Sequence, residues 1–485
     1  MKQRSITLNA ALNLTRTVLS TIFPLITARH ISLVLGVENV GKFNYSASII
    51  SYFSLIAIFG ISTYAVREGA RLRDHRDSIQ KFSNQVLTIN CITTLIAYLL
   101  LVLLLWFSHG LRSYVGIILL QSASILFTTI GIEWVNTVFE DYLYTTVRWL
   151  VLQVLSIVLM LVFVREQEHL YRYVLISLLP VVGANISNLF YCRRYVKFRL
   201  TRNLELKKHL PPLFVLFIAN ITNIIFVNSG QTMLGAICGN FSSGIYGTAA
   251  KVYTMIKVVF TSVLVVFMPR ISNLFVKTDA KQMKKVVTDI FNMFLLLLMP
   301  MATGLFVMSS FIIDVIAGPE FAAAVPVLKI LAIAIIPSGL STFITYISVV
   351  PAGRDKLLLG AGAVASGANL TVNSFMIPLF QHNGAAVSSI VAEIAMFMTA
   401  AIRMKPFENY RKIAVNVLQC VVSCALIPVA AFLSGLITDH SFLLSFLTVL
   451  ISVIFYFTAL FLMKNVALMA LLTPISEKLK ARKKS

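Results

Sequence analysis

Arg193-Arg-Tyr-Val-Lys-Phe-Arg-Leu-Thr-Arg-Asn-Leu-Glu-Leu-Lys-Lys208 sets seven basic residues against one acid, and it stands between two long apolar stretches at 170–192 and 211–234. The same alternation runs the length of the chain. Of its 41 lysines and arginines, 32 fall in every second gap between apolar segments. Those gaps are Met1–Arg4, Arg67–Lys81, Arg193–Lys208, Arg270–Lys285, Arg354–Lys356, Arg403–Lys412 and Lys464–Ser485, with Arg148 near a poorer turn. The intervening gaps hold only Lys42, Arg112, Arg165 and Arg172. An excess of Lys and Arg marks cytoplasmic loops, so the basic gaps and both termini are expected inside. Five cations remain within apolar segments, Arg16, Arg29, Lys251, Lys257 and Lys329, and function is sought there.

A chain that is 58% hydrophobic and 12% charged has far too much apolar surface for water, so lipid is its solvent. At about 20 residues per crossing, the apolar segments make fourteen spans: 7–35, 43–66, 82–107, 113–138, 142–164, 170–192, 211–234, 243–269, 286–310, 323–350, 357–380, 384–402, 413–434 and 441–463. They must be helices, because only helices or closed barrels satisfy the backbone in hydrocarbon. The predicted fold class is therefore an all-α polytopic membrane protein. The net charge of +22 follows the cytoplasmic loops and the pull of anionic lipid, which leaves no case for nucleic acid as a partner. The five cysteines form no CxxC pair; neither disulfides nor zinc, and no cofactor, are expected. Lys2 and Arg4 precede a long span without a small-residue cleavage site, which reads as a retained segment, not a cleaved signal peptide.

An internal repeat is visible at one ungapped offset. Gly36, Gly41, Phe43, Ala47 and Arg67 recur 203 positions later as Gly239, Gly244, Tyr246, Ala250 and Arg270. The copies are six spans apart and so point the same way, which predicts two lobes related by an axis along the membrane normal. The expected organisation is an N-lobe at 1–192, a basic linker at 193–210, a C-lobe at 211–404, and two further spans with a basic tail at 405–485. Gly36-Val-Glu-Asn-Val-Gly41-Lys42-Phe43 superficially matches a phosphate loop, but Phe43 stands where a Mg-binding Ser or Thr is needed, and no strand precedes it.

Arg16 and Lys251 each lie about eight residues into their spans, roughly 12 Å from a membrane surface at 1.5 Å per residue. A central Arg or Lys costs about 2.5 to 3.5 kcal/mol to insert, so both are expected to face a hydrated cavity and bind a phosphate-bearing substrate. Arg29, near the outer end of span one, either lines the cavity mouth or snorkels to headgroups. For Lys257 and Lys329 snorkelling is the preferred reading. Glu133 and Arg148 sit at equal depth beside one short turn, which favours an ion pair. Glu393, near the middle of span twelve, is protonated, neutralises a lysine, or binds a coupling cation. Asn369 and Asn373 share one helical face; helix–helix contact is the commoner use of such amides, substrate hydrogen bonding the other. Asn220, Asn223, Asn228 and Gln231 enrich span seven in the same way.

Taken in order, these features resemble the polysaccharide flippases of the Wzx type, in the MOP exporter superfamily that also holds lipid II flippases and MATE exporters. The matching residues are Leu35-Gly36, Gly41, Phe43, Ser46, Gly60, Tyr64-Ala65-Val66-Arg67-Glu68, Gly131-Ile132-Glu133-Trp134, Met233-Leu234-Gly235, Gly244-Ile245-Tyr246, Ala249-Ala250-Lys251, Pro269-Arg270, Ile377-Pro378 and Gly384-Ala385-Ala386 before Glu393. The resemblance implies two six-helix lobes around a cationic cavity. It also implies alternating access that carries an undecaprenyl-diphosphate-linked oligosaccharide across the bacterial cytoplasmic membrane, with polysaccharide polymerase and chain-length machinery as possible partners. Arg67, Glu133, Lys251, Arg270 and Glu393 fall at recurrent family positions. The chain departs from the pattern at Leu33, where an arginine is frequent and Arg29 is one turn earlier, and at Ser229-Gly230-Gln231, where an acid is frequent. The rival from another class is a membrane polymerase or ligase, for which Asp314, Glu320, His382, Asp439 and His440 are the main candidate groups.

Overall fold

The computed structural model describes residues 6–277, 280–437 and 441–472; the side chains at 6–18, 21, 22, 25, 269, 270, 276, 277, 280, 441 and 442 lie outside that description. Among the described residues the chain is helical and has no strand. Twelve helical segments are long and apolar enough to cross a membrane. Two of the long helices are double. The 50-residue helix Asp355–Met404 is broken at Gln381 (φ 49°, ψ −128°), and Ile6–Ile58 is broken at Gly36 (φ 71°, ψ 171°). At 1.5 Å per residue each half is long enough for a bilayer core of about 30 Å.

The chain divides into two compact units, one of residues 1–247 with 316–320, the other of 248–315 with 321–485. In the first, the helices Ile6–Ile58, Arg76–Phe107, Val115–Gly131, Tyr142–Phe163, Leu170–Tyr191 and Leu206–Ile237 pack around two apolar clusters. One is centred on Tyr64, Phe82, Trp134 and Leu213, the other on Tyr45, Ile49, Phe53 and Ile118. Helix Leu206–Ile237 follows the basic linker in sequence and packs back on Ile6–Ile58, where Gly235 leaves room for the Tyr45 ring.

The linker itself is an ordered strap. Its extended residues run along helix Arg76–Phe107: Gln80 accepts from the Lys197 backbone N–H (2.8 Å) and donates to the Lys197 carbonyl. Asn84 accepts from Arg199 N–H at 2.9 Å, and Thr88 from Thr201 N–H at 3.0 Å. The match is geometric. Four helical residues rise about 6 Å and two extended ones about 6.6 Å, so a polar stripe at every fourth helix position can pair with every second strap residue. Lys81 then bonds to Glu205 and holds that carboxyl below its ordinary range. Buried His209 closes the strap's end, between the Tyr64 hydroxyl (2.7 Å) and Gln85 (3.1 Å).

Within this unit the first segments of the two repeat copies, 36–44 and 239–247, touch each other. Gly36 and Gly239 both take left-handed φ, 71° and 81°, and each is followed by a helix. A Cβ on Gly41 would meet the Asn240 carbonyl at 1.9 Å, and one on Gly244 would meet the Val37 carbonyl at 2.4 Å. Asn240 is the counterpart of Val37, and Gly244 of Gly41. Each copy therefore presents the same patch to the other, the reciprocal pattern of a local two-fold relation. Asn44 completes it by filling the space over its own counterpart, Gly247. The glycines of the phosphate-loop lookalike thus serve a helix crossing, in the manner of small residues in membrane interfaces.

In the second unit, helices Ala280–Val307, Ala324–Ile344, Asp355–Met404 and Tyr410–Cys424 enclose an aromatic core of Phe260, Phe291, Phe294, Phe343 and Phe407. A π-helical turn, Thr345–Val349, extends the second of them. The repeat contact makes a specific demand on residue size. Gly41→Ala and Gly244→Ala should each cost about 1–3 kcal/mol through overpacking, seen as a lower melting midpoint in detergent. Gly360→Ala, where an added Cβ meets nothing within 4 Å, is the reference, and equal midpoints for all three would refute the crossing.

Candidate functional site

The intramembrane cations separate by what they touch. Lys257, on helix Gly239–Lys277, reaches Glu393 of helix Asp355–Met404 with Nζ 2.5 Å from Oε1. Glu393 is 1% exposed and also accepts from the Tyr253 hydroxyl at 3.0 Å and the Ser341 hydroxyl at 2.7 Å. Three helices thus converge on one carboxylate. Tyr253 and Lys257 do so together because residues four apart share a helix face, and the Lys257 ammonium lies 5.4 Å from the Tyr253 ring centroid. The buried charge is neutralised inside the protein.

Lys251, six residues before Lys257 and about 240° around the helix, is exposed. It makes no hydrogen bond or ion pair with the described residues. Arg29 is also exposed and does engage other groups; it belongs to the first unit and Lys251 to the second. The Arg16 side chain lies outside the described residues, as does that of Arg270. Lys329 lies 5.7 Å from the Phe306 ring centroid.

In the first unit, Arg148 is 8% exposed, with Nη2 3.6 Å from Glu133 Oε1 and the guanidinium 5.0 Å from the Tyr144 ring centroid. Arg67 is exposed and bonds Glu68 at 3.1 Å. Asn369 and Asn373 are both buried, and Asn373 donates to Asn369 Oδ1 at 2.8 Å. Gln231 donates to the Ser243 carbonyl at 2.9 Å. These amides hydrogen-bond within the protein. Of the acid–base groups weighed for an enzyme, Glu320 lies against Gly36 in the first unit while Asp314 is in the second, and Asp439 and His440 lie outside the described residues.

Two arrangements were not foreseen in the sequence. Tyr253 and Ser341 complete the Glu393 site; the spacing of Tyr253 and Lys257 was the available signal. Asp141 gathers the Tyr191 hydroxyl (2.6 Å), the Tyr195 hydroxyl (3.0 Å) and the Arg194 guanidinium, which anchors the start of the basic strap. Burial, with the Asp141 carboxylate beside it, raises the Tyr195 phenol above its ordinary range.

The Glu393 cluster is tested by a double-mutant cycle read by thermal unfolding. Losing one partner of a buried pair leaves the other uncompensated, at about 3–5 kcal/mol, so Glu393→Ala should be strongly destabilising. Adding Lys257→Met should recover at least part of the loss, with a coupling of about 0.5–3 kcal/mol. Strictly additive losses would show that the two charges act independently.

Comparison with known proteins places this geometry. The family model described as "Polysaccharide biosynthesis protein" matches residues 6–275, more than half of the chain. Among solved structures, the lipid II flippase MurJ in an inward closed conformation superposes with a TM-score of 0.71 at 16% identity, covering 95% of this chain and 99% of that one. A MATE family multidrug resistance transporter of the MOP superfamily, in an inward-facing conformation, gives a TM-score of 0.56 at 11% identity, covering 84% and 96%. At these identities the likeness is one of fold. No curated protein sequence matches the chain. The chain belongs to the polysaccharide biosynthesis protein family and has the polytopic helical fold of MOP superfamily transporters.

Proposed function

We propose that this protein is a flippase that carries an undecaprenyl-diphosphate-linked oligosaccharide repeat unit across the bacterial cytoplasmic membrane by alternating access, for assembly of a cell-surface polysaccharide. The observation that carries this reading is the contrast along one helix. Lys257 is neutralised by Glu393 at 2.5 Å, whereas Lys251 is exposed and has no partner among the described residues. A lone lysine facing acyl chains costs about 2.5–3.5 kcal/mol; facing a hydrated space, it offers a point charge to a phosphate.

On this reading the diphosphate enters from the cytoplasmic side and meets Lys251, with Arg16 and Arg29 as further cations. The polyprenyl tail stays in lipid, and the glycan occupies hydrated space. Glu393 with Lys257 and Glu133 with Arg148 serve as ion pairs for gating or coupling, and Arg67 and Arg270 near the basic ends as gating residues, none of which need touch substrate. Asn369 and Asn373, bonded to each other at 2.8 Å, would reach a sugar only after that bond opens. Removal of the glycan by polymerase and chain-length machinery on the far side would favour net export. The fold of drug exporters also fits the chain, but exposed lysine repels the cationic ligands that would make it one.

The test is translocation of a fluorescent lipid-linked oligosaccharide in proteoliposomes. A charge-assisted phosphate contact of about 1.5–3 kcal/mol corresponds to roughly ten- to a hundredfold in rate or affinity. Lys251→Ala should show a loss of that size and Lys251→Arg a smaller one. Wild-type flux in Lys251→Ala at equal protein density would remove Lys251 from the site.

A further inference from the structure

We propose that the basic end of the second unit holds a binding site for the phosphate headgroup of an anionic membrane lipid, apart from the residues assigned to transport. A cavity of about 490 Å³ opens there, and Lys284, Arg354 and Lys405 are in its wall together with Phe275, Met283 and Met404. Among the described residues no carboxylate lines it. The three cations come from separate pieces of chain: Lys284 from the start of helix Ala280–Val307, and Arg354 and Lys405 from the two residues that flank helix Asp355–Met404. Lys405 ends that helix at φ 44°, a left-handed conformation that a lysine adopts at some cost.

None of the three forms an ion pair among the described residues; Arg354 has one long contact, 3.5 Å, to the Arg403 carbonyl. The nearby acids among the described residues are engaged or stand outside the wall. Asp289 pairs with Lys412 at 2.6 Å, while Asp355 and Glu408 are exposed and do not line the cavity. A neighbouring cavity of about 420 Å³ differs in that its wall holds an acid: Asp289 lines it with Lys412 and Arg411 and pairs with Lys412. Three like charges around one space repel unless an anion sits among them. The rest of the wall selects the anion. Its aromatic and thioether side chains suit acyl or glycerol carbon better than a hydrated ion, and basic pockets at the cytoplasmic ends of membrane helices match the anionic lipids of that leaflet.

The full chain, purified in uncharged detergent, is titrated with dioctanoyl phosphatidylglycerol, dioctanoyl phosphatidylcholine and inorganic phosphate, and binding is counted by native mass spectrometry. The proposal expects saturable phosphatidylglycerol binding at least about tenfold tighter than phosphatidylcholine, and weaker binding of inorganic phosphate. Replacing Lys284, Arg354 and Lys405 together by Gln should weaken phosphatidylglycerol by roughly a hundredfold. Replacing Lys281, Lys285 and Arg403, which carry equal charge outside the wall, should leave it within about threefold. Equal losses in both variants would show diffuse surface attraction and overturn the site. Inorganic phosphate binding as tightly as the lipid would assign the cavity to a soluble anion and overturn the lipid reading. Where the triple variant does not fold, Arg354→Gln alone should weaken phosphatidylglycerol about fivefold and Arg403→Gln should not; equal affinities for the two overturn the site.

Discussion

Hydrocarbon supplies no hydrogen-bond partner, so each polar group taken into the membrane must find one in the protein or in enclosed water. Much of this structure follows from that constraint. Glu393, 1% exposed, is held by a lysine, a tyrosine and a serine from two other helices. Gln231 bonds Ser243, and Asn373 bonds Asn369. Lys251, exposed and without a partner among the described residues, contrasts with these bonded groups, and the proposed function rests on that contrast.

The second constraint is proximity. With lipid tails as apolar as leucine, helices associate through close packing, and small residues permit it. The GxxxxG segment after Gly36 and its copy after Gly239 therefore do the same work twice, each backbone lying where a side chain on the other would have to be. A bond from the Ser243 hydroxyl to the Gly41 carbonyl, 3.2 Å, ties the crossing further. A duplicated segment that meets its own copy keeps its glycines for a shared reason.

How much was legible before the coordinates depends on the range of the interaction. The helical class is a property of local composition, and the breaks at Gly36 and Gln381 fall in gaps that hydropathy already marks. The repeat was visible because its glycines keep one spacing. The partner of Glu393 was not, since Lys257 is 136 positions away and span depth alone leaves several partners open; its helix face, about 240° from that of Lys251, favours snorkelling in the sequence. The strap at 193–208 reads as a solvated linker from its charge. Its pairing with Gln80, Asn84 and Thr88 uses backbone groups, which no side-chain pattern in the linker announces.

The most direct measurement is the water accessibility of position 251. In a chain whose five native cysteines are replaced by serine, Lys251→Cys should react rapidly with a membrane-impermeant thiosulfonate, and a lipid-linked diphosphate oligosaccharide should slow that reaction. A cysteine there that stays unreactive, or that reacts equally fast with and without the lipid-linked substrate, would contradict the account.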